Sequence, residues 1–130
     1  MNSLRTGGIL LLIGGACFGQ DKWRGCDGTT YDMSVCLSKI YEKSDAELTV
    51  AYQAALKELG KWAGNFTAKR QIKNLRTAER NWIAYRDAQC KAQYDLFEGG
   101  SGGPLENLAC RIEATDQRIA EIRRVYLTPR

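Results

Sequence analysis

Residues 81–90, NWIAYRDAQC, hold the features that decide the fold. Trp82 and Tyr85 belong to a stripe of residues spaced by three and four, which is typical of one face of an α-helix. This spacing predicts a helix from about Lys69 to Phe97, and we expect Trp82 and Tyr85 to pack in the core. The stripe consists of Leu75, Ala78, Trp82, Tyr85, Gln89, Ala92 and Leu96, and a neighbouring stripe of Ile72, Ile83, Cys90 and Phe97 widens the apolar face.

Two flanking segments show the same spacing and predict two more helices. The first runs from about Tyr31 to Leu59, where Ser44 and Glu47 are spaced as a capping box, so a break near Ser44 is left open. The second runs from Pro104 to about Tyr126. The connections GKWAGNFT (60–67) and EGGSGGP (98–104) separate the helices, because each glycine is about 1 kcal/mol less favourable in a helix than alanine.

The sequence therefore predicts an all-α fold, a small antiparallel three-helix bundle with an irregular N-terminal arm. The stretch DKWRGCDGTTYDMSVC, residues 21–36, is rich in Gly, Asp and Thr and is interpreted as this arm leading into the first helix. A chain of 130 residues, 44% hydrophobic and 26% charged, suits one such domain.

The first residues, MNSLRTGGILLLIGGACFGQ, have the layout of a secretory signal peptide. We assign residues 1–19 to the signal and 20–130 to the domain, which predicts an exported protein, periplasmic or extracellular. Lipidation of Cys17, which would anchor the protein to a membrane, is the alternative to cleavage before Gln20. No membrane-spanning segment is expected in the mature chain, because the apolar run is too short.

Four cysteines follow the signal, and an even number in an exported domain predicts a disulfide framework. Cys90 and Cys110 lie about two turns on either side of the glycine-rich connection, so an antiparallel hairpin favours their pairing. Cys26 and Cys36 would then close the arm onto the first helix. Cys110 lies opposite the apolar stripe of its helix, however, which keeps Cys26–Cys110 with Cys36–Cys90 as an alternative.

The chain contains no histidine and no cysteine spacing typical of a zinc site. We therefore expect neither a metal nor a cofactor, and we do not expect an enzyme. The segment Lys61–Lys91 is strongly basic. In an exported protein we interpret it as a solvated helix face and expect no nucleic-acid partner.

The cluster Trp82, Tyr85, Arg86 and Asp87 is interpreted as structural. Arg86 lies at the edge of the apolar stripe, where it could stack on an aromatic ring or pair with a carboxylate such as Glu47 or Glu79. Asp87 is expected to form an ion pair, since no base or metal ligand accompanies it.

Three segments together resemble the LprI-like lysozyme-inhibitor domain of bacterial secreted proteins and lipoproteins. They are MSVCLSKIYEKSDAELTVAY (33–52), LRTAERNWIAYRDAQC (75–90), and EGGSGGP (98–104) with LACRIEATDQR (108–118). The resemblance covers about residues 26–124. It implies a protein whose partner is a lysozyme-type glycoside hydrolase.

The connection EGGSGGP is the segment expected to enter a target cleft, with Glu98, Ser101 and Glu106 as candidate binding residues. Because glycine has no side chain, it allows the main chain to approach the surface of such a cleft closely. We place Glu98 at the end of the second helix and Glu106 in the first turn of the third. The alternative function is a non-inhibitory cell-envelope module that binds a partner protein or a wall polymer through the basic face of the second helix.

Overall fold

The computed structural model describes residues 23–61, 64 and 66–128 of the chain. This part contains three α-helices: α1 (Thr30–Gly60), α2 (Phe66–Asp95) and α3 (Gly102–Ile122). A short π-helical segment, Arg123–Leu127, continues α3. The predicted all-α three-helix bundle is confirmed. The predicted signal peptide, residues 1–19, and Cys17 lie outside the described residues.

Helix α1 is continuous, so a break near Ser44 does not occur. A capping box forms at Thr29 instead: the Thr29 hydroxyl accepts a hydrogen bond from the Asp32 backbone N–H (3.2 Å), and the Asp32 carboxylate accepts one from the Thr29 N–H (3.0 Å). Ser44 is buried in the middle of the helix, where its hydroxyl donates a 2.9 Å hydrogen bond to Asp116 of α3. Because that hydroxyl is satisfied by another helix, it does not compete with the backbone of α1.

The core is divided into two apolar clusters. One is formed by Leu48, Ala51, Ala55, Leu59, Leu75, Ile119 and Ile122, and the other by Cys26, Leu37, Leu105 and Ile112. Ser44 of α1 and Thr115 of α3 fall between the clusters in their respective helices and are both buried. A polar layer therefore crosses the interior of the bundle.

Helix α3 packs against both other helices, and α1 and α2 contact each other less. This arrangement explains how Cys110 can pair with Cys90 although it lies opposite the apolar stripe of its own helix. The apolar stripe of α3 meets α1 through residues such as Ile112, whereas Cys110 lies on the side that faces α2.

Disulfides join Cys26 to Cys36 and Cys90 to Cys110, so the favoured pairing is confirmed. The first ties the N-terminal arm to α1. The second ties α2 to α3, with Cys90 fully buried. Disulfides are typical of exported proteins. Among the described residues, no helix has the length and apolarity required to cross a lipid bilayer.

Candidate functional site

Arg86 of α2 is the centre of the polar layer and is 4% exposed. Its Nη1 donates to the Oδ1 of Asp45 in α1 (3.0 Å) and to the hydroxyl of Thr115 in α3 (3.1 Å). Its Nε donates to the Oδ1 of Asp87 (3.0 Å). A single guanidinium therefore links all three helices.

The same guanidinium lies against two aromatic rings. Its carbon is 5.5 Å from the ring centre of Tyr41 and 5.3 Å from that of Trp82, within the range of a cation–π interaction. Burial alone would lower the pKa of Arg86, but the hydrogen bonds to Asp45 and Asp87 outweigh that effect and raise the pKa. Arg86 is therefore charged at every physiological pH.

A second ion pair, between Arg118 and Glu79, lies near the ion pairs of Arg86. Arg118 of α3 donates from Nε (3.0 Å) and Nη2 (2.9 Å) to the same oxygen of Glu79, which is 5% exposed. Its guanidinium carbon is 5.7 Å from the Trp82 ring centre. Burial acts to lower the pKa of Arg118, and hydrogen bonds to Glu121 and Glu79 raise it above its ordinary value. Trp82 therefore contacts two charged arginines from two helices.

The predicted stacking of Arg86 on an aromatic ring and the predicted ion pair of Asp87 are both present. The predicted partners of Arg86 are wrong, because Glu79 pairs with Arg118 and Glu47 pairs with Arg123. The carboxylate that reaches Arg86 from α1 is Asp45.

The prediction that Tyr85 packs in the core is wrong, because Tyr85 is 64% exposed. The buried positions of α2 include Glu79 and Arg86. The predicted stripe is correct at Leu75, which is buried. At Ala78 and Tyr85, however, the buried residue is the next one along the chain, which lies about 100° further around the helix. Trp82 is half-buried and packs against the apolar core from its edge.

The turn between α2 and α3 forms one end of the hairpin, and we name residues 96–101 the tip. Leu96 is 80% exposed, and Glu98 and Ser101 are exposed beside it. Glu98 and Gly99 adopt left-handed backbone angles, with φ of +46° and +82°. The Gly100 N–H donates a 2.7 Å hydrogen bond to the Phe97 carbonyl, so the tip has a defined fold.

The boundaries of this connection differ from the prediction. Residues 102–104 belong to α3, so only residues 98–101 of EGGSGGP lie outside a helix. Glu98 lies beyond the end of α2, not on it. Glu106 is not in the first turn of α3, and it is half-buried.

The structure therefore brings Glu98 and Ser101 together at the tip and places Glu106 apart from them. Glu106 lines a groove between α2 and α3, together with polar side chains that include Gln89, Gln93, Glu113 and Gln117. Sequence reasoning missed this groove, because a groove depends on how far apart two helices pack. Within the described residues, no group of three His, Cys, Asp or Glu side chains is arranged to hold a metal ion.

A family model described as "Lysozyme inhibitor LprI" matches residues 24–122. The chain belongs to the LprI family. The matched segment includes all three helices, both disulfides and the tip.

Within this LprI domain the sequence is also similar to an uncharacterized protein of Rhizobium meliloti (strain 1021). The two are 34% identical over 99 residues, which cover 71% of this chain and 70% of that protein. No solved structure matches the chain.

Proposed function

We propose that this protein inhibits a lysozyme-type glycoside hydrolase by inserting the tip into the substrate cleft. Membership of the family described as lysozyme inhibitor LprI supports the activity. The observation that supports the location is the combination at the tip of an exposed apolar side chain, Leu96, with an exposed carboxylate and hydroxyl, Glu98 and Ser101. An apolar side chain bordered by polar groups matches the apolar core and polar rim of a protein interface.

The chemistry of the target explains why such a tip would inhibit. Lysozymes cleave sugar polymers with two carboxyl groups that flank the scissile bond in a groove. A polypeptide in that groove offers no glycosidic bond to cleave. The backbone at Gly99 and Gly100 can approach the wall closely, because neither residue has a side chain. The Ser101 hydroxyl can donate and accept hydrogen bonds as a sugar hydroxyl does, and the Glu98 carboxylate can accept them.

The tip is also preorganised, which reduces the entropy lost on binding. The Cys90–Cys110 disulfide joins the two helices that carry it. Backbone hydrogen bonds from Gly100 to Phe97 and from Gly103 to Gly100 fix the turn itself. An added Cβ at Gly102 would lie 3.0 Å from the Phe97 ring, so the ring packs closely against the start of α3.

The test is inhibition of a lysozyme panel by the purified oxidised protein and by Glu98→Ala/Ser101→Ala. Two polar contacts of about 1 kcal/mol each correspond to roughly a tenfold or larger loss of inhibition. Glu42→Ala/Asn74→Ala is the matched control, since both residues are exposed and lie on other parts of the bundle.

The outcomes separate the activity from its location. If the folded tip variant inhibits as well as the control, the tip is not the binding site, although the protein is an inhibitor. If the wild-type protein inhibits no lysozyme, the proposed activity is wrong, and the non-inhibitory envelope module becomes the leading candidate.

A further inference from the structure

The charge of this protein is concentrated in one short stretch. The whole chain has 19 basic and 15 acidic residues, a net charge of +4. Residues 66–80 contain five basic residues and one acidic residue, which is also +4, so the rest of the chain has equal numbers of both signs. The five basic residues are Lys69, Arg70, Lys73, Arg76 and Arg80. We name them the α2 ridge.

All members of the ridge are exposed, and none forms an ion pair with another described residue. The one acidic residue of the stretch, Glu79, is buried and paired with Arg118 of α3. It therefore does not neutralise the ridge. In contrast, Arg86, Arg111 and Arg118 each pair with a carboxylate.

The ridge is a line along the helix. Lys69, Lys73, Arg76 and Arg80 are separated by four, three and four residues, so their side chains leave the same flank of α2. With a rise of 1.5 Å per residue, the line is about 17 Å long. Such an array of like charges repels itself, and a surface of opposite charge removes the repulsion.

Exposed apolar side chains lie at both ends of this line. Phe66, 77% exposed, is one turn before Lys69, and Ile83, 40% exposed, is one turn after Arg80. The Arg70 guanidinium carbon lies 5.9 Å from the Phe66 ring centre. The cations alone are enough to bind a soluble polyanion, and such a partner gives the exposed apolar side chains no role. An aromatic ring beside arginines is the combination that suits a lipid interface, where the ring enters the headgroup region and the cations meet phosphates.

We propose that the α2 ridge binds the surface of an anionic phospholipid bilayer, with α2 lying parallel to it. The tip is at the other end of the helix, since Arg80 and Leu96 are separated by about 24 Å along its axis. A protein held by the ridge would keep the tip accessible. The proposal does not depend on lysozyme inhibition.

The experiment measures sedimentation of the purified oxidised protein with vesicles of phosphatidylglycerol and phosphatidylcholine, and with vesicles of phosphatidylcholine alone. We expect binding to the anionic vesicles only, weakened by high salt. Lys73→Glu/Arg76→Glu should reduce this binding by about tenfold or more. Phe66→Ala should reduce it by a smaller factor and leave the salt dependence in place.

The matched control is Lys39→Glu/Lys43→Glu, which changes the net charge by the same amount at exposed positions of α1 that pair with no carboxylate in the described part of the chain. It should retain binding within about twofold if the ridge, and not the overall charge, is responsible. Equal losses in both variants would overturn the proposal. Failure of the wild-type protein to bind anionic vesicles would also overturn it, whether or not it binds a soluble anionic wall polymer. Circular dichroism of each variant confirms that the helices are intact.

Discussion

Arg86 of α2 donates a 3.1 Å hydrogen bond to Thr115 of α3, and both residues are buried in the middle of the bundle. Apolar clusters lie on either side of this pair along α3, at Ile112 and at Ile119. An apolar core alone tolerates sliding of one helix along another. A hydrogen bond between two buried groups does not, because a shift would break it and leave the buried Thr115 hydroxyl without this partner. The pair therefore sets the register of α2 against α3.

This arrangement predicts coupled effects of mutation. Thr115→Val keeps the volume and removes the hydroxyl, so it should reduce the free energy of unfolding by about 1 kcal/mol. Arg86→Ala should reduce it by about 3 kcal/mol, near the lower end for a buried pair, since its carboxylate partners remain partly hydrated. The double variant should lose less than the sum, because the two residues share a contact. Urea denaturation of all four proteins measures this coupling, and strict additivity would show that the hydrogen bond is not formed in solution.

Trp82 and Tyr85 should differ in their contributions to stability, although the same apolar stripe contains both. Trp82→Ala should reduce the free energy of unfolding by about 3 kcal/mol, because the ring packs on the core and contacts two guanidinium groups. Tyr85→Ala should reduce it by less than about 1 kcal/mol, because that residue is mostly exposed. Urea midpoints provide the measurement. Equal losses would mean that Tyr85 is buried in solution.

The sequence predicted the helices, the arm and the favoured disulfides, because apolar periodicity, glycine turns and cysteine spacing are local signals. It predicted the buried Leu75 and Cys90 of α2 but not the two buried charged residues of that helix. Glu79 and Arg86 occupy interior positions only because Arg118 and Asp45 come from other helices to meet them. Such pairing depends on the packing of distant segments. For the same reason the sequence located the glycine-rich tip but not the groove beside it.

The two disulfides should both stabilise the domain, and to different extents. In the chain-entropy model a link closing 10 or 20 residues contributes about 3 kcal/mol, slightly more for the longer loop. Cys90→Ala/Cys110→Ala should therefore reduce stability at least as much as Cys26→Ala/Cys36→Ala. Removal of the Cys90–Cys110 disulfide should also weaken lysozyme inhibition, because it releases the two helices that carry the tip. If the arm variant loses more inhibition than the hairpin variant, the arm belongs to the binding surface.

Asp32 links the stability of α1 to pH. Its hydrogen bonds with the side chain and the backbone of Thr29 lower its pKa in the folded protein below the ordinary value for an aspartate. The stabilisation is therefore present above that value and is lost as the pH falls through the folded pKa. Asp32→Asn should be less stable than the wild type at pH 7, and the difference should shrink below about pH 4. Thermal melts across this range test the sign, and a difference that grows on acidification would contradict it.

Gly99 should be essential to the shape of the tip for a conformational reason, and Gly60 provides the comparison. A Cβ added at either residue would have no atom within 4 Å, so crowding does not distinguish them. Gly99, however, has a φ of +82°, which side chains disfavour, whereas Gly60 ends helix α1 without a positive φ.

Gly99→Ala should therefore destabilise the protein by about 1 kcal/mol, and Gly60→Ala should be neutral or stabilise it by up to about 1 kcal/mol. Because the strain at residue 99 can be relieved only by reshaping the turn between Glu98 and Ser101, inhibition should fall with Gly99→Ala and stay unchanged with Gly60→Ala. Equal stability of the two variants, measured by urea denaturation, would mean that Gly99 does not hold its left-handed conformation in solution.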